Sequence, residues 1–133
     1  MRTIFLDTVG LIALWNRSDQ WHAAARARYD QLNAEAVDFV TTTYVLLECG
    51  NEASRRPYRQ AVVTVREEMG MAGELFEPTI GDLQLAWEAY ARGEAGDAGI
   101  VDQISFAFMR CLGLTEAFTT DRHFQAAGFV TLF

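Results

Sequence analysis

Four carboxylates stand out by where they fall. Asp7 closes the apolar run "TIFLD", Glu48 interrupts "TYVLLECG", Asp102 interrupts "IVDQISFAF", and Asp121 follows the two threonines of "FTTDRHF". A carboxylate buried without a partner is costly. Each of the four has an ordinary reading when taken alone. Asp7 and Asp121 suit the N-cap of a following helix, Glu48 suits a solvated helix face, and Asp102 suits the positive end of its helix dipole. What unites them is a hard divalent cation. Mg2+ or Mn2+ takes oxygen ligands, keeps several waters and is held by a few carboxylates together with substrate phosphate.

Such a site needs a scaffold that brings distant residues to one edge. The stretch 3–7 reads as a short buried strand continuing into "TVGLIALW", apolar at helical spacing. Residues 19–35 read as an amphipathic helix with Trp21, Ala24, Ala25, Tyr29 and Leu32 in its stripe and its arginines towards solvent. A second strand is expected at 36–42 and a helix at 43–56, capped by threonines, with Glu48 about one and a half turns in. A helix at 60–70 ended by Gly70, a strand within 73–78 stopped by Pro78, and a helix at 79–93 closing on Gly93 follow. Residues 100–112 form a further helix, with Ile100, Ile104, Phe108 and Leu112 on one face and Gly113 past its end. "EAFTT" is a strand, "DRHFQAAG" a short helix and "FVTLF" a terminal strand. This alternation predicts an α/β fold: three layers, α/β/α, around a mainly parallel sheet of about five strands. In such sheets, ligands bind beyond the carboxyl ends of the strands.

The 133 residues are expected to form a single domain (1–133). No apolar run approaches the ~20 residues of a bilayer span, and Asp7 comes too early for a signal peptide, so a cytoplasmic protein is expected. Cys49 and Cys111 have neither CxxC spacing nor a nearby His pair, which argues for buried free thiols. The formal charge of −7 disfavours binding nucleic acid through a broad basic surface, so a phosphate substrate needs local help. All eleven basic residues are Arg. That removes the lysine on which receiver domains and dehalogenase-like phosphohydrolases depend, and "DTVGL" also lacks the second acid of the dehalogenase "DxDxT".

The blocks "IFLDTVGLIAL", "VTTTYVLLECGNE" and "VDQISFAFMRCLGLTEAFTTDRHFQAAGF" make the chain resemble, over nearly its whole length, a PIN-domain ribonuclease of the VapC toxin kind. The resemblance places Asp7, Glu48, Asp102 and Asp121 on the family's acidic quartet. It implies metal-assisted hydrolysis of RNA phosphodiesters, leaving a 5′-phosphate and a 3′-hydroxyl. Asp7, Asp102 and Asp121 are then the expected ligands of Mg2+ (or Mn2+), and Glu48 positions or deprotonates the attacking water. Thr119, Thr120, Ser105 and Asn51 are auxiliary candidates, each with an ordinary structural reading beside it, as have Glu52 and Asp97. The arginines of "RRPYR" at 55–59 could grip phosphate, or simply end a helix. The three tryptophans are expected mainly in the core. Three positions depart from the family pattern: Val9 replaces a small polar residue, Gln103 a frequent Cys, and His123 a further acid of some members. The implied partners are an RNA substrate, a cognate antitoxin and a second copy of the chain in a homodimer. The competing expectation is a catalytically silent PIN-fold module that binds a protein or RNA.

Overall fold

The computed structural model of the protein describes residues 2–133. Five strands form one sheet: β1 (Thr3–Leu6), β2 (Asp38–Thr42), β3 (Leu75–Phe76), β4 (Glu116–Phe118) and β5 (Val130–Thr131). The helices are α1 (Thr8–Trp15), α2 (His22–Ala34), α3 (Thr43–Ala53), α4 (Arg59–Ala72), α5 (Ile80–Arg92), α6 (Ile100–Leu112) and α7 (Arg122–Ala126). All strand pairs are parallel, in the order β3-β2-β1-β4-β5. The expected three-layer α/β/α architecture is the observed one. The strands are shorter than the apolar runs implied. Residues 73–78 contribute only Leu75–Phe76, and Ala36 occupies a left-handed turn (φ 55°) before β2 begins.

Ile4 and Phe5 of β1 are fully buried, as the central strand of a sheet covered on both faces requires. Phe5 meets Phe108 of α6 and Phe124 of α7 at ring centroid separations of 6.0 and 6.4 Å, and Phe106 packs edge-on against Phe124 at 4.9 Å. At the amino edge of the sheet, Arg2 donates to both carboxylate oxygens of Glu116 (2.9 and 2.8 Å) and to Glu35 (2.8 Å), linking the starts of β1 and β4.

Several expectations are corrected. The fourth helix does not end at Gly70 but runs to Ala72, because the left-handed terminator is Gly73 (φ 72°). Trp21 and Ala24 are exposed, so the buried stripe of α2 narrows to Ala25, Tyr29 and Leu32; Trp21 precedes the first helical residue and falls off its face. Arg28 does not face solvent fully, since its Nε donates to the Leu132 carbonyl at 3.0 Å. Trp87, Cys111 and Leu112 are exposed rather than core, on faces of α5 and α6 that no other element covers.

Candidate active site at the carboxyl edge of the sheet

Strand order 3-2-1-4-5 reverses direction between β1 and β4, which makes that junction the switch point where a crevice opens. Register fixes what lies there. Leu6 pairs with Phe118, so the next residues beyond the strand ends are Asp7 and Thr119. The Thr119 hydroxyl donates to Asp7 Oδ2 at 2.8 Å inside the protein. Asp7 is also the N-cap of α1, accepting from the Val9 amide at 3.4 Å, so its ordinary capping role is present. Across β1 on the other side, the buried Thr41 hydroxyl donates to the Leu6 carbonyl at 2.7 Å, and Thr42 caps α3 through the Val45 amide. Because α3 starts directly at the end of β2, Glu48 in its second turn remains near the same edge.

Asp102 arrives by the opposite route. The connection 113–115 leads from α6 into β4, so α6 returns along the sheet with its first turn, and Asp102 in it, at the carboxyl edge. Gln103 explains how this turn is held. Its buried amide nitrogen donates to the Glu94 carbonyl at 2.6 Å, tying the α5–α6 loop to α6. Asp121 caps α7 by accepting from the His123 amide at 2.9 Å, and its own amide donates to Thr119 Oγ1 at 3.1 Å. Thr119 thus links two of the acids, and of the two adjacent threonines it is the one that reaches Asp7.

Asp7 and Asp102 feel the charges of the other acids. Asp7 is 1% exposed, and burial first, then the charge of Asp102, pushes its pKa up to about 8; Asp121 and Glu48 add to the rise and the Thr119 hydroxyl opposes it. Asp102 is pushed up to about 6 by burial, then by Asp121 and Glu48, with His123 pulling the other way. Cys49 is buried beside this group, and desolvation raises its thiol far above the ordinary range, so it is an inert neutral filler. Among the auxiliary candidates, Asn51 is exposed on α3, Thr120 is half-buried, and Ser105 is fully buried with a hydroxyl that has no partner among the described residues. The arginines of 55–59 are exposed, while Tyr58 packs against Trp15 at 6.5 Å.

The sequence places His123 where some members carry a further acid and leaves Asp97 with an ordinary structural reading. The structure puts them in contact. His123 Nδ1 lies 2.7 Å from Asp121 Oδ1 and 3.9 Å from Asp102 Oδ2, and its Nε2 lies 2.6 Å from Asp97 Oδ1. No short-range signal announces a pair 26 residues apart. Asp102, Asp121 and His123 each offer one ligand atom, and these atoms lie within 4.8 Å of one another. With a fully buried Asp7 whose partners are one hydroxyl and one amide, this donor set fits a divalent cation and would be strongly repulsive without compensation.

A PIN domain model matches residues 4–130. The chain belongs to the PIN domain family. The 23S rRNA-specific endonuclease VapC20 of Mycobacterium tuberculosis is 31% identical over 128 residues, covering 96% of this chain and 95% of the relative. The crystal structure of that protein, described as a sarcin-ricin loop cleaving toxin, superposes with a TM-score of 0.80 at 29% identity over 96% of both chains. The PIN fold is shared more distantly with FitAcB of Neisseria gonorrhoeae, at a TM-score of 0.69, 18% identity, and 98% and 96% of the two chains. DNA-bound VapBC of Salmonella typhimurium gives 0.66 at 18%, over 98% and 97%. No helix among the described residues is long and apolar enough to cross a membrane.

Proposed function

We propose that this PIN domain is a metal-dependent endoribonuclease, the toxin of a toxin–antitoxin pair, and that ribosomal RNA of the large subunit is its substrate. The observation that carries the reading is the convergence of Asp7, Glu48, Asp102 and Asp121 from four separate elements, close enough that Asp102, Asp121 and Glu48 all raise the pKa of Asp7, and Asp121 and Glu48 that of Asp102. Likeness to VapC20 over nearly the full length of both chains supports the choice of RNA.

Asp7, Asp102 and Asp121 would hold the Mg2+ or Mn2+. When bound, the cation supplies Lewis-acid polarisation of the phosphate and lowers the pKa of a coordinated water. The residues of the chain do the rest. Thr119 fixes the Asp7 carboxylate by its 2.8 Å hydrogen bond, and the α7 and α1 caps fix the carboxylates of Asp121 and Asp7 against rotation. Glu48, half-buried at the rim, positions the attacking water and accepts its proton. Attack on phosphorus with loss of the 3′ oxygen leaves a 5′-phosphate and a 3′-hydroxyl.

The antitoxin is proposed to dock in the groove between α1, α2 and α4, lined by Leu11, Leu14, Trp15, Tyr29, Val65 and Met69 with Arg26 and Glu68 at its edges. Such a surface suits the apolar face of an amphipathic segment. The homodimer is proposed to use α5, where Ile80, Trp87 and Tyr90 lie exposed along one side and Trp87 meets Tyr90 edge-on at 5.7 Å.

The test is cleavage of purified ribosomal RNA and of transcripts with Mg2+ or Mn2+, mapped at the 5′ ends of the fragments. Wild type should produce discrete ends, chelator should stop the reaction, and Asp7→Asn should be inert while folded. A folded wild type that cuts no RNA under any divalent ion would leave the silent binding module as the correct reading.

A further inference from the structure

His123 has the arrangement of a metal-ligating histidine. A ligating imidazole commonly gives its other ring N–H to a carboxylate, which fixes the tautomer and turns the free nitrogen to the ion. Asp97 Oδ1 sits 2.6 Å from Nε2, and as an ionised carboxylate it only accepts, so the proton belongs on Nε2. The opposite nitrogen, Nδ1, lies at hydrogen-bonding distance from Asp121 Oδ1 (2.7 Å) and 3.9 Å from Asp102 Oδ2, so an ion seated among them would take the place of the proton that Nδ1 shares with Asp121. Ligand atoms sharing one ion at bonds of about 2.0–2.2 Å stand no more than roughly 4.4 Å apart. Both separations fall under that ceiling. Asp97 comes from the α5–α6 loop, which Gln103 anchors to α6 through the Glu94 carbonyl, so the orienting carboxylate is itself tied to the helix that supplies Asp102.

We propose that His123 is a ligand of the catalytic cation through Nδ1, with Asp97 as its positioning residue, and that the centre therefore takes Mn2+ in preference to Mg2+. Imidazole nitrogen suits first-row transition ions, whereas Mg2+ favours an all-oxygen shell. The inference rests on the metal site of the proposed function and adds the nitrogen donor to it.

The direct test is electron spin-echo envelope modulation on the Mn2+-loaded wild-type protein, with and without 15N-labelled histidine, alongside calorimetric titration with Mn2+ and with Mg2+. A directly coordinated nitrogen should appear and change with the label. His123→Ala should abolish that coupling and weaken Mn2+ binding at least about tenfold while changing Mg2+ binding little. Asp97→Asn should weaken Mn2+ binding by about 10–100-fold, as outer-shell partners do. Mn2+ bound without nitrogen coupling, or with equal affinity in wild type and His123→Ala, overturns the proposal, and continued RNA cleavage in that case leaves the nuclease reading intact. Binding of neither ion by folded wild type overturns both.

Discussion

Asp7 combines the cap of α1 with the centre of a repulsive group, and the two roles respond differently to substitution. Asparagine keeps the cap and can still accept from Thr119, but it removes the buried charge. Asp7→Asn should therefore raise the stability of the metal-free protein at neutral pH by roughly 1–3 kcal/mol, read by urea denaturation, while RNA cleavage falls at least about 100-fold. The pH dependence follows from the same group. Its folded pKa of about 8 lies above the unfolded value of 3.8, so the folded state holds a proton that the unfolded chain has released. Metal-free stability should be greatest below about pH 4 on account of this group and decline as pH rises towards about 8, with Asp102 contributing up to about 6. Asp7→Asn should flatten that slope; a slope unchanged in the variant would show that Asp7 is not its source. The acids themselves were legible from sequence because each breaks an apolar run. Their electrostatic coupling was not, because it depends on Leu6 pairing with Phe118, a register that no local pattern specifies.

The elements reach this register through a close approach that sequence reading passed over. A Cβ on Gly10 would stand 1.9 Å from the Phe118 carbonyl oxygen, so α1 lies against β4 at a distance only glycine permits. Gly10→Ala has no flexible neighbour to displace and must push backbone from backbone. A loss of about 3 kcal/mol is expected in thermal or chemical unfolding, together with reduced cleavage from the folded fraction, since Asp7 and Thr119 would part. A substitution tolerated within about 0.5 kcal/mol would mean that α1 and β4 can separate at this point without cost. Helix positions and their order were readable from periodicity and from glycine stops such as Gly93 and Gly113. Which faces would be covered was less so: Trp87 and Leu112 are apolar and exposed, because burial on α5 and α6 is decided by neighbours far away in the chain.

For the molecule as a whole, a divalent cation held as proposed at the β1/β4 junction would draw on the β1–α1 junction, α6 and the β4–α7 turn only when these are assembled, so it would stabilise the folded state alone. Addition of Mg2+ or Mn2+ at a hundred times its dissociation constant should stabilise by about 2.7 kcal/mol, visible as a raised Tm, and Asp102→Asn should lose most of that shift. An unchanged Tm in saturating metal would rule out a site formed by folding. The sheet's outermost members, β3 and β5, are each two residues long. A rim that short offers an arriving chain almost no row of free amides and carbonyls to extend. A protein half apolar in composition is thereby shielded from fibrillar growth, and could be stored at high concentration without polymerising edge to edge.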